Sequence, residues 1–162
     1  MSLTTISTCG KISINKAKKH SNLFNMSLFL SSFINKIDVK GRVSVPAQFR
    51  AAVNNDEFAG VVLYRQYAPN CIGGVSMARM EQIANNADTH GTNSKTDALF
   101  AEARQMAFDI TGRIIIPKDL LKHAGIKDKA IFVGRGNSFQ IWNPETFQKT
   151  LKLNKEQSNN IC

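Results

Sequence analysis

The feature that most constrains the fold is a short motif that occurs twice, 71 residues apart. Residues 38–42 read Asp-Val-Lys-Gly-Arg, and residues 109–113 read Asp-Ile-Thr-Gly-Arg. In the same gapless alignment Pro46 falls on Pro117, and two valines and a phenylalanine fall on two isoleucines and a leucine. Such self-similarity indicates an internal duplication, so the chain is predicted to contain two copies of one small unit.

Each motif has the chemistry of a tight turn between two strands. An Asp side chain accepts hydrogen bonds from backbone N–H groups ahead of it, and Gly permits positive φ where the chain reverses. The residues after each Gly have a strand pattern, and a Pro then starts a brief helix. Each unit is therefore predicted to run strand, turn, strand, short helix, strand, turn and strand, with helices at 47–53 and 118–124.

Arg42 and Arg113 stand out because neither turn needs an arginine for its geometry. One interpretation is structural, with each Arg paired to the Asp of its own turn. The other is that each Arg is displayed to contact a phosphate or a guanine. The two interpretations are compatible, since the Asp can orient the Arg, and the motif by itself does not choose between them.

Basic residues surround both turns. The chain has 21 Lys and Arg against 12 Asp and Glu, a formal charge of +9, and the part after residue 26 is basic by itself. A basic body favours a polyanionic partner, nucleic acid ahead of a membrane surface. Each cation taken alone could be a solvated surface charge. The basic residues near the turns are Lys36, Lys40, Arg50, Lys118 and Lys122.

The sequence gives little support to an enzyme, a metal protein or a membrane protein. Cys9, Cys71 and Cys162 are far apart and have no metal-ligand spacing, which predicts free thiols, a reducing compartment and no cofactor. The chain contains no phosphate-binding loop, dinucleotide-binding glycine pattern or nucleophile motif, and no apolar run long enough to span a bilayer. His20 and His90 are scattered, and His123 is expected to end a helix and interact with its dipole. Neither catalysis nor a small-molecule substrate is expected.

The regions outside the two units carry further predictions. Residues 1–26 contain four lysines and no acid, and are predicted to be a disordered or misassigned extension, with Met26 as the favoured start. The polar residues from 152 onward are predicted to be frayed. In the last strand of the first unit, Gly73 and Gly74 predict a bend or bulge.

Two helices are predicted between the units. Ser76 is a candidate N-cap for the first, and Ser94 with Asp97 resembles a capping pair before a second helix at 98–104. We expect both helices mainly to cover their own sheet. The alternative is a subunit contact built partly from Met77, Met80 and Phe100.

Residues 108–117 read Phe-Asp-Ile-Thr-Gly-Arg-Ile-Ile-Ile-Pro and are followed at 120–126 by Leu-Leu-Lys-His-Ala-Gly-Ile. This segment resembles the SpoVT-AbrB superfamily of DNA-binding modules. The chain is similar to the MraZ family of bacterial transcriptional regulators in three further features. These are the two copies in one chain, the intervening helices and the closing Trp-Asn-Pro-Glu-Thr-Phe at 142–147. The similarity covers about residues 27–150.

The resemblance implies a mainly β fold with short helices, of the α+β class. Two swapped-hairpin half-barrels would form one pseudo-twofold β-barrel within a single chain, with two linker helices. The implied divisions are an extension at 1–26, a first module at 32–79, a helical linker at 80–102, a second module at 103–146 and a polar tail at 147–162.

The resemblance also implies a function. A cytoplasmic, nucleoid-associated regulator would bind repeated double-stranded DNA elements at the promoter of the division and cell-wall gene cluster, including its own gene. It would act as a ring of identical chains. The alternative is a protein-interaction module on the same fold, resembling an antitoxin. The candidate DNA-binding residues are Asp38, Lys40, Arg42, Arg50, Asp109, Arg113, Lys118 and Lys122.

Overall fold

The computed structural model describes residues 28–54, 56–91 and 93–159. The extension predicted for residues 1–26 lies outside this range, as do Cys9, His20 and Cys162. The strands of the described part are β1 (Ser32–Lys36), β2 (Arg42–Ser44), β3 (Gly60–Gln66), β4 (Cys71–Val75), β5 (Arg104–Ala107), β6 (Arg113–Ile115), β7 (Lys129–Gly134) and β8 (Phe139–Trp142). Its helices are α1 (Ala47–Ala52), α2 (Met77–His90), α3 (Ser94–Glu102), α4 (Lys118–His123) and α5 (Pro144–Asn159).

The same order of elements occurs in both halves of the chain: two strands, a short helix and two more strands. Strands β2 and β6, and helices α1 and α4, begin and end at residues that lie 71 positions apart. Antiparallel strands dominate and the helices between strands are short, so the predicted mainly β, α+β class is confirmed.

Six strands form one antiparallel sheet in the order β1-β7-β8-β4-β3-β5, and β2 pairs with β6 in a separate two-stranded ribbon. The first strand of each half pairs with the third strand of the other half, in β1–β7 and in β3–β5. The predicted closed barrel is not formed by the described residues. Strands β1 and β5 are the edges of an open sheet, because β1 pairs with β7 and β5 with β3, while β2 and β6 pair with each other and do not extend the sheet.

An aromatic cluster lies at the centre of the core. The side chain of Phe49 on α1 is fully buried, and its ring lies 5.3 Å from Phe29, 5.7 Å from Phe33, 6.2 Å from Phe132 and 5.4 Å from Phe139, measured between centroids. One side chain from each ribbon strand, Val43 and Ile114, joins the same core. The ribbon is therefore anchored by one of its faces.

The bend predicted at Gly73 and Gly74 is absent, because β4 is a regular strand and its five residues are all buried. The ring of Tyr64, which is opposite Gly73 in β3, occupies the space that a side chain at Gly73 would need. Phe139, which is opposite Gly74 in β8, does the same for Gly74. The glycines therefore serve close packing of cross-strand aromatic rings, a recognised way to stabilise glycine in a sheet.

Helix α2 matches the prediction at its start, where Ser76 Oγ accepts a hydrogen bond from the N–H of Arg79. Met77 and Met80 pack against Val62 and Val75 of the protein's own sheet, in agreement with the predicted covering role. Phe100, the third side chain of the suggested subunit contact, is 36% exposed on α3.

Helix α3 begins at Ser94, one turn before the predicted start. The cap is Asn93, whose Oδ1 accepts hydrogen bonds from the N–H groups of Lys95 and Thr96. Arg104, which was expected to end this helix, is instead the first residue of β5 and pairs opposite Leu63. Strand pairing therefore ends the helix earlier than the local pattern indicates.

The prediction of frayed residues from 152 onward is wrong, since α5 continues to Asn159. The helix begins where Asn143 Oδ1 accepts a hydrogen bond from the N–H of Glu145, and it is anchored by buried Phe147, whose ring lies 5.6 Å from that of Trp142. The following turns consist mostly of strong helix formers such as Leu, Lys, Gln and Glu.

In the part of the chain that the structure describes, no helix has the length and apolarity that a membrane span requires.

Candidate nucleic-acid interface

The two turns that carry the candidate arginines have the same hydrogen-bond pattern. In the first turn, Oδ1 of Asp38 accepts the N–H groups of Lys40 and Arg42, both at 2.9 Å, and Oδ2 accepts Nε–H of Arg42 at 2.6 Å. The N–H of Gly41 donates to the Asp38 carbonyl at 2.9 Å, with φ at +80°. Glycine adopts this backbone conformation without the strain that a side chain would cause.

The second turn repeats this arrangement around Asp109. Its Oδ1 accepts the N–H groups of Thr111 and Arg113 at 2.9 Å, and its Oδ2 accepts Nε–H of Arg113 at 2.8 Å. The Thr111 hydroxyl adds a hydrogen bond of 2.7 Å to Oδ1, which Lys40 does not provide in the first turn. Gly112 has φ at +75°. Both turns therefore place an Asp–Arg pair at the start of a ribbon strand.

The Asp38–Arg42 and Asp109–Arg113 pairs agree with the structural interpretation of the arginines and are compatible with the functional one. Both Arg side chains are 37% exposed. Within the described part of the chain, the guanidinium groups donate side-chain hydrogen bonds only through Nε. Asp38 and Asp109 therefore orient the arginines, while the terminal Nη1 and Nη2 groups remain available to a partner.

The turns also keep both carboxyl groups ionised. The backbone N–H of Arg42, and after it the Arg42 guanidinium, hold the pKa of Asp38 below its ordinary value. For Asp109 the pKa is lowered further, first by the backbone N–H of Arg113 and then by the Thr111 hydroxyl. At neutral pH each carboxylate is charged and can hold its arginine in place.

The ribbon brings the two turns together on one surface. Arg42 is opposite Ile115 and Ser44 is opposite Arg113, so these four residues share one face of the pair. Diagonal neighbours on such a face lie about 7–8 Å apart, which puts the two arginines within reach of a single ligand. Ser44 and Ile115 are exposed, whereas the opposite face, with Val43 and Ile114, is buried.

Arg50 lies across the second turn, although it follows the first turn in the sequence. Its Nε donates to the Val45 carbonyl at 3.2 Å, and its guanidinium occupies the space beside Gly112, where a Cβ would come within 2.6 Å of Nη1. The equivalent space beside Gly41 is approached by Leu121. Arg50 therefore adds a cation to the Asp109–Arg113 turn.

The remaining predicted cations do not form one group. Lys40 is exposed in the first turn, and Lys118 is exposed at the start of α4, close to where the N–H of Ile116 donates to the Gly41 carbonyl. Lys122, at the other end of α4, lines a shallow cavity of about 480 Å³ with Tyr67 and His123. The structure thus gathers seven of the eight candidates around the ribbon and separates Lys122 from them.

The lining of that cavity is tied up in internal contacts. Arg65 and Arg104 both donate to Asp119 at 2.7 Å, and they hold the pKa of its carboxyl below the ordinary value, Arg104 more than Arg65. His123 does end α4 as expected, but its Nε2 lies 2.9 Å from the carbonyl oxygen of Gln66.

Cys71, the one cysteine in the described residues, is a free buried thiol.

Sequence reasoning missed the exposed apolar side chains of this surface. Val39 and Ile110, which follow the two Asp residues, are fully exposed, and Ile115 is exposed on the ribbon. The signal was available for the first two, since they occupy the same position of the repeated motif.

Comparison with known proteins supplies the context for this surface. A family model described as "MraZ protein, putative antitoxin-like" matches residues 99–161. A relative from Rickettsia akari (strain Hartford), named "Transcriptional regulator MraZ", is 42% identical over 132 residues, which cover 78% of this chain and 89% of the relative. The chain belongs to the MraZ family. A Rickettsia typhi (strain Wilmington) relative with the same name is 44% identical over 131 residues, covering 78% of this chain and 88% of the relative.

The family assignment confirms the predicted resemblance. The segment matched by the MraZ family model contains the whole Asp109–Arg113 turn together with all of α4 and α5. The alignments with the relatives named MraZ cover more than three quarters of this chain, so the similarity is not confined to its second half.

The position of Arg50 over the second turn can be tested through Gly112. In this MraZ family member, Gly112→Ala is expected to lower the free energy of unfolding by ~1–2 kcal/mol through positive φ alone, with a further cost for displacing Arg50. Arg50→Ala should remove that further cost. Gly41→Ala is the matched control, because its φ is similar and its Cβ would meet the Ile116 carbonyl, so Arg50→Ala should not relieve it. Urea unfolding of the single and double variants measures the coupling, and equal penalties for Gly112→Ala with and without Arg50 would contradict this contact.

Proposed function

We propose that this MraZ family member is a sequence-specific DNA-binding regulator of transcription. The observation that carries the proposal is the exposed ribbon face, on which two oriented arginines from equivalent turns lie side by side. The relatives from Rickettsia akari and Rickettsia typhi are named transcriptional regulators, which supports the same assignment.

In the mechanism we infer, the ribbon enters the major groove, which is wide enough for a two-stranded β-ribbon. Each Asp holds Nε of its arginine, and Nη1 and Nη2 then donate to O6 and N7 of a guanine, the commonest specific contact in that groove. Lys40, Arg50 and Lys118 neutralise phosphates on either side. Counting these residues with the two Asp–Arg pairs, five cations stand against two carboxylates around the ribbon.

The exchange of first strands between the halves supports two interlocked swapped-hairpin modules, at 32–79 and 103–146, joined by the linker at 80–102. In this arrangement β2 and β6 come from different modules. Neither module alone would then present a complete ribbon, so both are needed for one DNA-binding surface.

We further propose that several chains assemble into a ring that engages repeated promoter elements, in the cytoplasm at the nucleoid. One ribbon makes few base contacts, and a ring raises the apparent affinity because a second contact on the same DNA becomes intramolecular. The promoter of the division and cell-wall gene cluster, which includes the gene of this protein, is the proposed target.

The test is a footprint of the purified full chain on the DNA upstream of its own gene, combined with its native mass. We expect protection of regularly repeated short elements, by a species whose mass is a multiple of the chain mass. Salt titration should give a steep loss of affinity, since each phosphate contact contributes ~0.9 to the slope of log K against log salt. Uniform weak protection with no preferred element would overturn the assignment.

A second candidate function is binding of a small protein partner, in the manner of an antitoxin. Two features favour it: the description of the family model, and the exposed Leu151 and Leu153 on the outer turns of α5. Expression together with its genomic neighbours separates the two functions. A small protein that co-purifies in fixed proportion and is lost in Leu151→Asp would support this second candidate.

A further inference from the structure

Resting on the proposed DNA-binding function, we propose that Val39 and Ile110 are specificity-determining residues that contact the 5-methyl groups of thymines beside the bases read by the arginines. The two side chains are 98% and 105% exposed, which makes them the most exposed large apolar side chains of the described residues.

The fold does not require an apolar side chain at either position. Both turns are fixed by the Asp carboxylate, by the hydrogen bond that closes the turn and by the positive φ of the Gly. Polar residues are the usual choice in such turns. A branched aliphatic residue nevertheless occupies the same place in both turns, and it buries nothing within the protein.

Val39 and Ile110 form the tips of the two turns, and the residues around these tips point to DNA as the partner. Each tip directly follows the Asp that orients an arginine, and the next residue is Lys40 in one turn and Thr111 in the other. This combination of cations and hydrogen-bond donors suits a polyanion. On such a partner the thymine methyl is the apolar group that the major groove displays.

The chemistry of the side chains fits that role. Branching at Cβ restricts Val and Ile to few rotamers, so their methyl groups are presented without a large loss of side-chain entropy. The two tips also differ, because Ile110 is one methylene longer than Val39 and its neighbour is Thr rather than Lys. The two halves of one ribbon therefore present different apolar surfaces to their thymines, which gives the bound element a direction.

Deoxyuridine tests the proposal, since it differs from thymidine only by the missing methyl. The probe is the strongest duplex that the full chain selects from a random pool, made with deoxyuridine at each thymine in turn. We expect about fourfold weaker binding for each contacted thymine, the effect of losing one buried methyl contact. The Val39→Ala, Ile110→Ala double variant should bind the thymine duplex correspondingly less tightly and should not distinguish it from the deoxyuridine duplex.

The outcomes separate this proposal from the function on which it rests. If no duplex is selected, the DNA-binding function itself fails. If a duplex is selected but deoxyuridine has no effect, or if the double variant keeps the full sensitivity of the wild type, DNA binding stands and the thymine contact is overturned. A change in the native mass of the double variant would also overturn it, because the tips would then contact a second copy of the chain.

Discussion

Arg42→Ala is expected to reduce specific DNA binding by about 10- to 100-fold for each subunit engaged, and so to abolish it in a ring that needs several contacts. The free energy of unfolding should change little, because the side chain is 37% exposed and its partner Asp38 is exposed to a similar extent. Arg113→Ala should have the same two effects. Fluorescence anisotropy with a labelled promoter duplex, repeated at several salt concentrations, measures the loss.

The salt dependence identifies what the arginine contacts. An arginine bound to a guanine leaves the salt slope nearly unchanged when it is removed, whereas one bound to a phosphate lowers the slope by ~0.9. Arg79→Ala on α2 is the matched control, as this arginine pairs with Gln82 and lies outside the ribbon. If Arg42→Ala and Arg79→Ala bind the promoter duplex with the same affinity, the proposed role of the first turn is wrong.

Phe49→Ala is expected to cause the largest loss of stability, ~3–5 kcal/mol in the free energy of unfolding. The side chain is fully buried and lies against four other rings, so its removal leaves a cavity that a close-packed core cannot fill. Phe49 is also next to Arg50 on α1, so the variant should weaken the support of the second turn. Chemical unfolding followed by the fluorescence of Trp142 measures the change.

Phe100→Ala provides the comparison, since that ring is 36% exposed on α3. We expect it to cost less than ~1 kcal/mol, the range of ordinary surface substitutions. A similar cost for the two variants would mean that Phe49 does not anchor α1 in the core, and it would contradict the position of Arg50 at the second turn.

The features of the structure that the sequence predicts correctly depend on local interactions. The Asp, Gly and Pro of each motif specify a turn, a strand and a helix within about fifteen residues. Ser76 caps α2 through a hydrogen bond from the N–H of Arg79, only three positions further along the chain. The arginines stand out as candidates because the geometry of the turn does not require them, while the motif by itself leaves open a purely structural pairing with Asp38 or Asp109.

The parts that it missed depend on contacts between distant residues. Gly73 and Gly74 read as strand-breaking until Tyr64 and Phe139 are seen to cover them. Arg50 lies at the turn of the other half, 62 positions ahead at Gly112, and no local pattern could show this crossing. The open sheet likewise depends on distant pairing, because β2 and β6 come from different halves of the chain and pair with each other, which leaves β1 and β5 as edges.

Cross-linking from the turns tests most directly whether both turns contact one DNA molecule. The photoreactive residue p-benzoylphenylalanine, placed at Lys40 or at Thr111, is exposed on the ribbon surface, and at Lys155 on α5 it serves as the control. We predict that positions 40 and 111 cross-link to bases within one helical repeat, ~10 base pairs, of a single promoter element, while position 155 does not. Cross-links from position 155 alone, or none from either turn under conditions where the promoter is bound, would contradict the contact of the two turns with DNA.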